Sequence, residues 1–80
     1  MSKHILVVDD DALMRRSLAF NLEQAGYRTS TAADAESAVG LVRLDPPNLI
    51  LLDIGLPGMD GLDALHSFWQ EADTPVIFVT

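Results

Sequence analysis

The sequence predicts an α/β domain built on a doubly wound parallel sheet. Two observations carry that prediction. Short apolar runs alternate with segments of helical spacing, in the order β-α-β-α-β-α-β. Two of the fully apolar runs end in aspartate, at the strand ends where ligands of such sheets bind.

Each element has its own signal. Ile5-Leu6-Val7-Val8 is fully apolar and partly β-branched, the pattern of a buried strand. Met14, Leu18, Leu22 and Ala25 then recur at helical spacing over residues 12–25, with Asp11 placed to cap the start and Gly26 to stop the end. Tyr27, Thr29 and Thr31 alternate with Arg28 and Ser30, a period-two strand. Residues 35–44 form a second helix, with Asp34 as N-cap, Ala38, Leu41 and Val42 on its apolar side and Gly40 weakening it. Asp45-Pro46-Pro47 breaks the chain. Leu49-Ile50-Leu51-Leu52 is the next buried strand and ends in Asp53. A loop containing Gly55, Pro57 and Gly58 leads to a helix over 61–70, with Asp60 near its cap and Leu62, Leu65 and either Phe68 or Trp69 turned inward. Thr74-Pro75 opens the last strand, Val76-Ile77-Phe78-Val79, which Thr80 follows.

The most apolar strands belong in the middle and the polar second strand at an edge. That gives strand order 2-1-3-4, with the topological switch point between the first and third strands.

Composition narrows the function. The 80 residues allow one small domain. Hydrophobic residues make up 49% and charged residues 21%, the mix of a globular chain. No apolar run approaches the roughly 20 residues that cross a membrane, and there is no cysteine, so a cytoplasmic setting without disulfides is expected. Twelve acids against five scattered bases give a formal net charge of −7, which argues against nucleic-acid binding through this segment. The acids cluster: Asp9, Asp10 and Asp11 are consecutive.

That cluster meets the switch point. Asp9 and Asp10 follow strand one and Asp53 follows strand three, on strands about 4.8 Å apart. Two charges about 5 Å apart repel by roughly 3 kcal/mol at an effective dielectric near 20. Either one carboxyl is protonated or a cation is bound. Oxygen donors without His or Cys favour magnesium, calcium or manganese over zinc. Acids after a strand also cap helices, as Asp11 does, but two acidic strand ends meeting at the switch point favour the cation. Thr80, on the same rim, could donate its hydroxyl to an oxyanion held on Asp53.

With these residues placed, the chain resembles the receiver domain of two-component response regulators. The resemblance rests on Ile5-Leu6-Val7-Val8-Asp9-Asp10, on Leu51-Leu52-Asp53-Ile54-Gly55-Leu56-Pro57-Gly58-Met59-Asp60-Gly61, and on Pro75-Val76-Ile77-Phe78-Val79-Thr80. It implies an incomplete flavodoxin-like sheet over residues 1–80. Asp53 would be the phosphoacceptor, and Thr80 the switch residue. Asp10, Asp53 and the Gly55 carbonyl would ligate Mg2+ or Mn2+, with Asp9 holding the ion mainly through water. A sensor histidine kinase or phosphotransfer protein would be the donor, docking around helix one near Met14, Arg15 and Leu18. The module would signal rather than turn over a substrate, and a DNA-binding output domain could follow it. Family members carry five βα units and a lysine after the fifth strand. This chain has four strands, and its one lysine, Lys3, precedes strand one. The chain is therefore expected to be the N-terminal portion of a receiver. Strand four would be an uncharged edge inviting self-association.

Other readings compete. Asp9-Asp10-Asp11 matches the Asp-x-Asp pattern of haloacid dehalogenase-like phosphatases, with Asp9 as nucleophile. Leu13, however, stands where those enzymes need a small Thr or Val. A nucleotide-binding half-domain would need a glycine-rich turn after strand one. A receiver-like interaction module would never be phosphorylated. His4 and His66 read as surface residues, and Arg15-Arg16 as a solvated helix face or a counterweight to the nearby acids.

Overall fold

A computed structural model describes residues 3–53, 55, 61–71 and 73–79. The elements run β1 (His4–Val8), α1 (Ala12–Gln24), β2 (Arg28–Ala32), α2 (Ala35–Leu44), β3 (Leu49–Asp53), α3 (Gly61–Glu71) and β4 (Val76–Val79). The sheet is parallel throughout, in the order β2-β1-β3-β4. Strand order and the switch point between β1 and β3 are as the sequence predicts.

The caps are also as read. Asp11 accepts the backbone N–H groups of Leu13 and Met14, and Asp34 accepts that of Ser37. Each satisfies donors that the first helical turn leaves open. Gly26 takes a φ of 97°, a left-handed conformation that ends α1 and that a side chain would strain.

The sheet divides its two faces by residue parity. Leu6, Val8, Ile50 and Leu52 form one core with Ala32, with Ala35, Ala38 and Val42 of α2, and with Phe68 of α3. Two alanines on α2 let that helix lie close to the sheet. Between Phe68 and Trp69 the structure chooses Phe68, which is fully buried. Trp69 is half exposed and donates its indole N–H to the Thr74 carbonyl. The Arg43 guanidinium joins α2 to Glu71 of α3 through two hydrogen bonds.

The opposite face differs from expectation. It carries Ile5, Val7, Thr29 and Thr31 under α1, which packs on β1 and β2. No residue of α1 is buried. Leu18 and Leu22 are half-buried, whereas Met14 and Ala25 are exposed. The cause is position: α1 packs chiefly on the polar edge strand, and an open groove of about 410 Å3, lined in part by Ala12, Ala19, Thr29 and Thr31, runs along that contact. Leu13 and Phe20 also stand in solvent. On β4 the same holds for Ile77 and Phe78, at the sheet edge. Among the described residues no helix is long and apolar enough to cross a membrane.

His4 corrects a second expectation. It is the first residue of β1 and is 4% exposed. Its backbone N–H donates to Asn48 Oδ1 and its Nε2 meets Ser30 Oγ at 2.7 Å. The buried Nδ1 has no hydrogen-bond partner among the described residues, and Asp45 Oδ2, held by Arg28, stands 3.9 Å away. Burial lowers the His4 pKa below 6.5, and the Arg28 charge adds to the shift, against the pull of Asp45. The folded state therefore resists a proton that the unfolded chain accepts. The stability tied to neutral His4 is complete above the unfolded value near 6.5. It is lost as pH falls from that value towards the lower folded one. The melting temperature of the protein should fall between about pH 7 and pH 5, and this slope should shrink in His4→Gln. Thermal melts across that range check it. His66, by contrast, is exposed as expected.

Candidate functional site

Strand register builds the site. Val8 of β1 pairs with Leu52 of β3, so the next residues, Asp9 and Asp53, come level at the carboxyl rim. Carboxylate oxygens of Asp9, Asp10 and Asp53 all lie within 4.8 Å of one another. The structure thus brings together the three carboxylates that the sequence nominates.

Their environments differ. Asp9 is buried, Asp53 half-buried and Asp10 exposed. The Asp9 N–H continues the ladder by donating to the Ala32 carbonyl at 3.1 Å. Its Oδ1 accepts the Asp11 N–H at 2.9 Å. Burial raises the Asp9 pKa, and the charges of Asp53, Asp10 and Asp11 push the same way against the Asp11 hydrogen bond. Ionising Asp9 therefore carries a cost in the folded state, and that cost is relieved as pH falls through its raised value.

Asp53 Oδ1 accepts the Gly55 N–H at 2.9 Å. A Cβ at Gly55 would stand 3.4 Å from that same oxygen, in contact with the carboxylate. The Asp10 carboxylate takes no hydrogen bond among the described residues. The remaining oxygens make an all-oxygen, net-negative donor set. That set suits a hard divalent cation, in kind and in charge.

One contributor is only partly visible in the sequence, which offers Arg15-Arg16 as a solvated helix face or a counterweight to the nearby acids. Arg15 is half-buried, and its Nη1 donates to the Asp9 carbonyl at 2.8 Å. The sequence does not say which of Arg15 and Arg16 turns to the acids, nor that the contact is to a carbonyl. Thr80, Pro57, Gly58 and Asp60 lie outside the described residues, as do the side chains of Leu62 and Leu65. Lys3 stands before β1, at the opposite end of the sheet.

Fold and rim together define a doubly wound α/β domain with an acidic pocket at its switch point. The match to known families agrees with that class. Residues 5–80 match the response regulator receiver domain model, and the chain belongs to that family. The chain is 42% identical over 78 residues to the "Probable transcriptional regulator ycf27" of Cyanophora paradoxa, covering 98% of this chain and 33% of that protein. It is similar to the crystal structure of the N-terminal domain of a response regulator receiver protein from Methanoculleus marisnigri JR1. There the TM-score is 0.91 and the identity 36%, over 98% of this chain and 66% of the other. It is also similar to NtrX from Brucella abortus in complex with ATP, with a TM-score of 0.90 and 38% identity, over 100% of this chain and 19% of that one. The chain spans about a third of the length of the curated relatives it matches.

Proposed function

We propose that this chain is the phosphoacceptor module of a two-component phosphorelay, with Asp53 as the acceptor. The reading rests on one observation above the rest: three carboxylates from two strand ends converge within 4.8 Å at the switch point of a receiver-family fold. Asp53 stands at the open rim with its Oδ1 oriented by the Gly55 N–H. Asp9, the nucleophile of a phosphatase-like alternative, is 7% exposed with one oxygen already committed to Asp11.

In the reaction, an Asp53 carboxylate oxygen attacks the phosphorus of a phosphohistidine on the donor. An O–P bond forms and the N–P bond breaks, its electron pair passing to the imidazole nitrogen, which takes up a proton. The product is an acyl phosphate. Asp10, Asp53 and the Gly55 carbonyl would hold Mg2+, or Mn2+ in its place, and Asp9 would reach it through water. A bound divalent ion supplies charge compensation between an anionic nucleophile and an anionic phosphoryl group. Thr80 would turn its hydroxyl to the phosphoryl oxygens as the switch.

The donor is a sensor histidine kinase or a phosphotransfer protein in the cytoplasm. A DNA-binding output domain would lie in the rest of a longer regulator, in keeping with a relative named as a transcriptional regulator. The exposed β4 edge is the surface through which copies of this chain would associate.

Incubation with Mg2+ and a small phosphoramidate should add one phosphoryl group that hydroxylamine removes. No mass gain, or a hydroxylamine-stable gain, would overturn the proposal.

A further inference from the structure

The turn between β1 and α1 must aim Asp10 without help from Asp10 itself, whose carboxylate takes no hydrogen bond among the described residues. The two peptide groups flanking Asp10 are each held instead. The peptide between Asp9 and Asp10 is held at its carbonyl by Arg15 Nη1, at 2.8 Å. The peptide between Asp10 and Asp11 is held at its N–H by Asp9 Oδ1, at 2.9 Å. Peptide units are planar, so fixing one atom of each on either side leaves the Asp10 Cα–Cβ direction little freedom. The Arg15 backbone is anchored in its turn, because its N–H donates to the Asp11 carbonyl in the first turn of α1.

We propose that Arg15 is a positioning residue of the acidic pocket, clamping the Asp9 carbonyl so that Asp9 and Asp10 face Asp53. The inference rests on reading the pocket as a divalent-cation site. It assigns the arginine a role separate from any partner contact by helix α1.

Charge and position predict opposite signs here, which makes the role testable. As a plain positive charge, Arg15 would oppose a cation, and removing it would tighten binding. As a clamp, its removal would loosen the ligands and weaken binding, as loss of partners behind metal ligands does. Arg15→Met keeps the apolar stem and drops both the donor and the charge. Arg16→Met removes the same charge from an exposed neighbour.

The experiment is calorimetric titration of Mg2+ into the 80-residue chain and these variants, at a temperature where melting curves show each folded. Arg15→Met should weaken Mg2+ binding about tenfold, Arg15→Lys should recover part of the loss, and Arg16→Met should bind at least as tightly as the parent. Hydrogen exchange supplies a metal-free readout. The Asp11 amide should exchange faster in Arg15→Met and not in Arg16→Met. Parental or tighter Mg2+ binding by Arg15→Met, or an unchanged Asp11 amide, would overturn the clamp while leaving the cation site standing. A parent chain that binds no Mg2+ would overturn the cation reading, and the clamp with it.

Discussion

Asp53→Asn should abolish phosphorylation and at the same time stabilise the metal-free protein. The two effects share one cause. Asp9, Asp10 and Asp53 crowd their oxygens within 4.8 Å, and each pair of charges repels. At about 5 Å and an effective dielectric near 20, one pair costs roughly 3 kcal/mol, less where solvent screens the exposed members. Asn keeps the shape and the acceptor oxygen facing the Gly55 N–H, and removes one charge. The melting temperature without metal should therefore rise. Added Mg2+ should stabilise the parent by linkage, by about 1.4 kcal/mol at ten times its Kd, and so raise its melting temperature. The same addition should move Asp53→Asn much less. Paired melts with and without Mg2+ check both signs. A variant that melts lower than the parent without metal would mean that the pocket is not under electrostatic load. Such a trade of stability for chemistry is common where a site must hold like charges together.

Phe68→Ala should unfold the protein or bring it to the edge of unfolding. Phe68 is the largest fully buried side chain among the described residues, and it sits where α3 meets the sheet and α2. Truncating a buried phenylalanine costs about 3–5 kcal/mol in lost burial and cavity formation. A chain of this size has about 4–12 kcal/mol to lose. The other face adds less: Ile5 and Val7 are buried there, but no residue of α1 is. Trp69→Ala, one position on, removes a half-exposed ring and one hydrogen bond and should cost markedly less. Denaturant titrations of the two variants make the comparison. Equal costs would contradict the assignment of Phe68 to the core.

Much of this was legible in the residues. The fully apolar runs at Ile5–Val8 and Leu49–Leu52 announced central strands, and the polar alternation at Arg28–Thr31 announced an edge. Strand order followed from those contrasts. Asp11 and Asp34 were readable as caps because the chemistry of a helix start is local. The acidic pocket was readable because parallel strands end on one rim, so Asp9 and Asp53 had to meet.

Three features were not legible, each for a physical reason. The sequence puts His4 at the surface because it precedes the apolar run of strand one. It is buried because β1 starts one residue earlier than its apolar run, and Ser30 and Asn48 supply partners distant in sequence. Met14 and Ala25 have helical spacing, but spacing cannot say how deep a helix sits on a polar edge strand. The sequence leaves Arg15 either a solvated charge or a counterweight to the acids, because a side chain that reaches back to a carbonyl leaves no periodic trace.

The central claim is that Asp53, and neither of its neighbours, receives the phosphoryl group. Borohydride reduces an acyl phosphate to an alcohol and leaves free carboxylates unchanged. It therefore marks the acceptor directly. After Mg2+-dependent phosphorylation, reduction and proteolysis, mass spectrometry should find the reduced residue at position 53 alone. Reduction at position 9 would contradict the account and favour a phosphatase-like site.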